Sequence, residues 1–140
     1  MTSQTITGNA LQFTDDNKRC YAYSGVITCA GSGSQPTIAD TTKMFEFTTN
    51  SEYLEIIVAW GNEQTSGTAD NFVCIALNEV VIFASRYETG AESNHTNPKA
   101  LNLLLPPFST CYFGANTSAD PHDWTFTLTG KVGMPPRVGN

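Results

Sequence analysis

Two histidines, His95 and His122, and four cysteines, Cys20, Cys29, Cys74 and Cys111, are the side chains with the most chemistry to offer. A nucleophilic triad needs a Ser or Cys, a His and an acid that converge. His95 lies in the polar stretch RYETGAESNHTNPKA, and His122 follows Asp120-Pro121 just ahead of a strand-like segment. Neither accompanies a nucleophile elbow, and GxSxG is absent. Ser32, within GSGS, reads as a linker serine. Both histidines are therefore expected in solvent-facing loops. A histidine could ring the axis of a symmetric trimer and bind a metal, but nothing in the sequence favours that, and no CxxC or Cys/His cluster marks a zinc site. Glu46 and Glu55 fall in successive predicted strands, where two carboxylates can approach for glycoside hydrolysis. Solvent exposure or cross-strand pairing is the expectation for them. GSGS has neither the Lys nor the following helix of a phosphate loop. No catalytic residue, metal ligand or cofactor is assigned.

Sugar binding asks for less: Asn, Asp and an exposed aromatic platform. Trp60-Gly61-Asn62 closes a strand and supplies those types, with Tyr87 and Tyr112 as further aromatics. Trp60, Asn62 and Tyr87 are the candidate sugar-binding residues. Trp60 shares a face with Leu54, Ile56 and Val58, so a core position is its leading reading, as it is for Trp124 beside Phe126 and Leu128.

The cysteines depend on register. Cys74 and Cys111 sit within apolar strands, where a free thiol packs as a small hydrophobe. If Ser24-Gly25 is a two-residue turn, Cys20 faces Cys29 at bridging distance, a candidate disulfide. If RCYAYSGVITCA is one long strand, residues 20 and 29 lie about 30 Å apart on opposite faces. The long strand is favoured, because Ser-Gly is a modest turn signal.

The elements that must position these residues are strands. DWTFTLTGKV places Trp124, Phe126, Leu128 and Val132 on one face and Thr125, Thr127, Thr129 and Lys131 on the other, a half-buried antiparallel strand. EYLEIIVAW repeats the pattern with Ile57 and Ala59 on its second face, and KMFEFTT turns Phe45 and Phe47 inward. NFVCIAL and VVIFAS join across Asn78-Glu79 as a tight hairpin. LNLLLPPFSTCYFG is predicted as two strands meeting at a corner, since Pro106 and Pro107 forbid a continuous ladder. Eight or nine short strands with unequal loops predict an all-β fold, a single jelly-roll β-sandwich of about eight antiparallel strands. A seven-stranded immunoglobulin-like sandwich is weakened by the missing Cys…Trp…Cys spacing. The whole chain, 1–140, reads as one domain with an irregular tail at 133–140.

Composition narrows the partners. With 19 Thr, 11 Asn and 10 Ser but only 14% charged residues, the surface is neutral and Thr-rich. The net charge is −6, and the seven basic residues are scattered, so nothing makes a stripe for a phosphate backbone. Nucleic acid is not an expected partner. No apolar run approaches a membrane span, and MTSQTITGNA lacks the pattern of a signal peptide, so synthesis in a cytoplasm is expected. The sequons at Asn94 and Asn116 are read as chance in a chain this rich in Asn and Thr.

The succession TITGNALQFTDDNKRCYAYSGVIT, MFEFTTNSEYLEIIVAW, LLLPPFSTCYF and WTFTLTGKV resembles small single-jelly-roll virion structural proteins of viruses and phages. These decorate capsids or form head spikes and fibre tips. TNSEY after a Phe-rich strand and PPFST before the penultimate strand are its most specific pieces. The resemblance implies a non-enzymatic virion component that self-assembles, with a trimer favoured, alongside other capsid proteins. Leu101, Leu103, Leu105 and Phe108 are the candidate subunit interface, as more apolar cover than one small sandwich needs. The alternative is a carbohydrate- or host-receptor-binding module on the same fold, with a host glycan as partner.

Overall fold

The computed structural model describes residues 3–5, 10–62, 70–88 and 99–133, with backbone alone at 3–5, 10, 87 and 88. It holds eleven strands and, among the described residues, no helix. They are β1 (Ser3–Thr5), β2 (Ala10–Phe13), β3 (Arg19–Tyr23), β4 (Ile27–Thr28), β5 (Thr42–Thr48), β6 (Leu54–Asn62), β7 (Asp70–Leu77), β8 (Val80–Glu88), β9 (Ala100–Leu105), β10 (Thr110–Thr117) and β11 (Asp123–Val132). All pairings are antiparallel. One sheet runs β1-β2-β3-β11-β6-β9, with β4 also on β11, and the other runs β5-β10-β7-β8. The protein is an all-β sandwich.

Period-two burial builds the core. Along β11 Trp124, Phe126 and Leu128 are buried between exposed threonines, and β6 buries Leu54, Ile56, Val58 and Trp60. The second sheet answers with Phe45, Phe47, Val73, Ile75, Cys111 and Phe113. Phe45 meets Phe113 and Phe126 edge-on, while Trp60 stacks on Phe126 at 5.8 Å and tilts against Phe83. Such aromatic pairs add about 0.5–1.5 kcal/mol each beyond their buried area. The Nε1 groups of Trp60 and Trp124 and the Ser85 hydroxyl are buried without a hydrogen-bond partner, a cost of about 1–3 kcal/mol each that the aromatic packing must outweigh.

The hairpin forms across Asn78-Glu79, whose φ values of 49° and 69° are those a type I′ turn requires, with Leu77 opposite Val80. The proline corner differs from a hairpin. β9 belongs to the large sheet and β10 to the small one, so Pro106-Pro107 carries the chain between layers rather than joining paired strands.

The region around Ser24 settles the cysteines. β3 and β4 both run along β11, with Tyr23 opposite Thr127 and Ile27 opposite Trp124. Four steps from 23 to 27 therefore meet three from 127 to 124. The extra residue is a bulge in which Gly25 takes a φ of 70° and the Ser24 hydroxyl accepts from Phe126 N. This corrects both registers. No hairpin forms, and the bulge shifts the phase so that Cys20 and Cys29 both face inward, far apart along one line of chain. All four cysteines are free, buried thiols, so the Cys20–Cys29 disulfide is absent.

Candidate assembly surface

The acid pair separates first. Glu46 lies on β5 and Glu55 on β6, consecutive strands in different sheets, so the two carboxylates stand on opposite outer faces of the sandwich. Glu46 accepts from Lys43 at 2.8 Å instead. His122 is a loop residue whose Nδ1 lies 2.8 Å from Asp120 O. His95 and Asn94 fall outside the described residues. Among the described residues no cluster of His, Cys, Asp or Glu has the arrangement of a metal site.

Of the sugar-binding candidates, Trp60 is turned inward and Asn62 is already hydrogen-bonded. Trp60 is 6% exposed, because its alternation with Ile56 and Val58 turns it into the core, so it offers no ring face to solvent. Asn62 is half-buried and donates to Asn71 Oδ1 at 2.5 Å. The Tyr87 side chain falls outside the described residues. Asn116, the second sequon, is also committed: its Oδ1 accepts from Gly31 N and Thr117 N, and its Nδ2 donates to Asp40 O.

Burial sets three thiols apart from reactive cysteines. Desolvation raises Cys20 and Cys74 to about 11 and Cys111 to about 12.

The two outer faces differ. On the small sheet, Tyr112, Cys74 and Ala76 are covered by the segment carrying Ile38, and the Tyr112 hydroxyl pairs with that of Thr41 at 2.8 Å. Asp40 fastens that segment by accepting from Ser34 N, Ser34 Oγ and Gln35 N, bonds that hold its carboxyl below the usual carboxylate range.

On the large sheet, register aligns three rows across β3, β11, β6 and β9. The first row is Tyr23-Thr127-Ala59-Ala100, the second Tyr21-Thr129-Ile57-Asn102, and the third Arg19-Lys131-Glu55-Leu104. Tyr23 is 52%, Ile57 51% and Leu104 44% exposed. Charge is confined to the third row. Around Ile57, Leu104 and Thr129 the face opens into a groove of about 570 Å³. The first two rows carry no charge, and with Leu104 they make a face of Tyr, Thr, Ile and Leu whose apolar groups gain by leaving water. Arg19, Glu55 and Lys131 line one end of the groove.

The leucines expected at an interface are placed differently. Leu105 is fully buried, and Leu101 and Leu103 pack against the core of their own chain. Period two explains it, because the odd-numbered residues of β9 point between the sheets. Leu104, behind them, is the exposed one. The signal for Ile57 and Leu104 was present as the second face of two unusually apolar strands.

Phe108 alone of that set is exposed, at 72%. It sits beyond Pro106-Pro107 with a φ of 55°, where a bulky side chain is strained. Four hydrogen bonds impose that geometry: Phe108 N to Asn50 O, Thr49 Oγ1 to Pro106 O, Ser109 N to Thr49 Oγ1, and Thr49 N to Ser109 O.

No protein-family model matches the chain, and no curated protein matches it.

Proposed function

We propose that this chain is a non-enzymatic structural component of a virus particle, a capsid decoration, spike or minor capsid protein that assembles through its sandwich. The observation that carries the reading is the outer face of the large sheet, where Tyr23, Ile57 and Leu104 stand about half exposed and charge is confined to the row of Arg19, Lys131 and Glu55 at one end. A single chain gains nothing by presenting such a face to water, whereas an assembling one buries it. Strand order supports the jelly-roll part of the reading. Taking β3 and β4 as one broken strand, and setting aside β1 and β2, the remaining eight follow 1-8-3-6 in one sheet and 2-7-4-5 in the other. That alternation between layers is how a rolled-up pair of Greek keys connects. A homotrimer is the favoured assembly, since cyclic symmetry closes contacts between unlike patches.

The test is mass spectrometry of purified particles from the virus whose genome carries this sequence. Recovery of the chain in fixed, multiple copies per particle is the expected result. Its absence from particles, with abundant free protein in the same cells, overturns the reading. The sugar-binding alternative has lost Trp60 as a platform, and saturable binding on a glycan array is the result that would restore it.

A further inference from the structure

We infer that Phe108 is an apolar knob that seats in the Ile57–Leu104 groove of a second copy of this chain, an inference that rests on the assembly reading above and names its contact. Three observations meet here. The first is strain. A phenylalanine at positive φ persists only where its surroundings over-determine it, and the Thr49, Asn50 and Ser109 bonds do so while leaving the ring 72% exposed. The ring is held where its own core cannot use it. Two prolines ahead of it remove backbone freedom, so little ordering entropy remains to be lost on docking.

The second is shape. The groove has about 570 Å³ of open space beside Ile57 and Leu104, ample for one aromatic ring and its flanks. The third is charge. Arg19 and Lys131 lie directly opposite each other at the groove's charged end, and like charges so placed repel. Glu55 completes their row, leaving it net positive, and neither cation has an ion pair among the described residues. On the knob side Glu52 is exposed, two residues beyond the Asn50 carbonyl that holds Phe108 N. A knob bearing a carboxylate thus matches a groove bearing two cations, in a protein whose overall charge of −6 would otherwise keep copies apart.

The experiment is sedimentation velocity of the full chain across a wide concentration range, for wild type, Phe108→Gly, Ile57→Glu and an equimolar mixture of the two variants. Wild type is expected to associate beyond 15.2 kDa as concentration rises. Each variant alone is expected to self-associate at least about thirtyfold more weakly. At a concentration low enough that wild type is still a single chain, Phe108→Gly is expected to melt at or above the wild-type temperature, because glycine relieves the positive φ. The mixture is expected to regain a two-chain species, since one variant keeps its groove and the other its knob. Four results overturn the inference: a wild type that stays single at every concentration, a Phe108→Gly protein that associates normally, one that melts well below wild type at that low concentration, or a mixture that remains single chains. Should the knob fail while the chain is still recovered from particles, the assembly reading stands without this contact. Should the knob contact hold while particles lack the chain, the virion reading alone falls.

Discussion

Cys20 and Cys29 face the same interior although nine residues separate them, an odd interval that would place them on opposite sides of a regular strand. Gly25 makes the difference, at a φ of 70° with no heavy atom near the place a Cβ would occupy. Conformation rather than space therefore selects glycine. Gly25→Ala is expected to cost about 1–2 kcal/mol in urea unfolding, and Gly25→Asn less, because Asn tolerates the left-handed region. Equal stability of all three proteins would contradict this account of the bulge.

The buried thiols give a pH dependence of known sign. Cys20, Cys74 and Cys111 are raised by burial from about 9 to about 11 or 12, so the folded state holds protons that the unfolded state releases. Their contribution is full below pH 9 and is lost as pH climbs through 9 to 12. Stability is expected to fall over that window, and less steeply in Cys111→Ala relative to its own value at neutral pH. A colorimetric thiol titration at neutral pH should find Cys20, Cys74 and Cys111 slow to react in the folded protein and fast in denaturant.

Asn116 joins three backbone segments, its amide serving Gly31 N, Thr117 N and Asp40 O together. Asn116→Ala should cost about 2–3 kcal/mol, since buried groups lose their partners. Asn116→Asp keeps the two acceptor contacts but cannot donate to Asp40 O, and should fall between. Glycosylation at this sequon is expected only if it precedes folding.

Gly31 combines a φ of 81° with a Cβ position that would collide with Pro121 N and with Asp120 C at 2.5 Å. These atoms belong to the Asp120–Pro121 peptide, and backbone cannot yield as a flexible side chain would. Gly31→Ala should therefore destabilise by more than about 2 kcal/mol, beyond what positive φ alone costs. Thermal unfolding of this variant beside Gly25→Ala separates collision from conformation.

Strands were legible wherever alternation was strong. Trp124, Phe126 and Leu128 against their threonines located β11 to the residue, and Asn78-Glu79 announced its turn. The bulge was not legible, because SGV carries no signal that distinguishes a turn from an inserted residue. Sheet assignment was not legible either. Glu46 and Glu55 look like neighbours in sequence but part into different layers, a consequence of long-range pairing that local pattern does not encode. The candidate surface was half visible. Phe108 and the apolar excess of LNLLL pointed to an interface, yet which leucines it used depended on which side of β9 met the core, and that follows only from pairing Leu103 with Ile56.

The most direct test of the assembly surface is the native mass of the full chain by light scattering, with and without reductant. The account predicts a species larger than 15.2 kDa that forms with rising concentration, is indifferent to reductant, and reverts to single chains in Ile57→Glu. A single-chain mass at every concentration, or an oligomer untouched by Ile57→Glu, would contradict it.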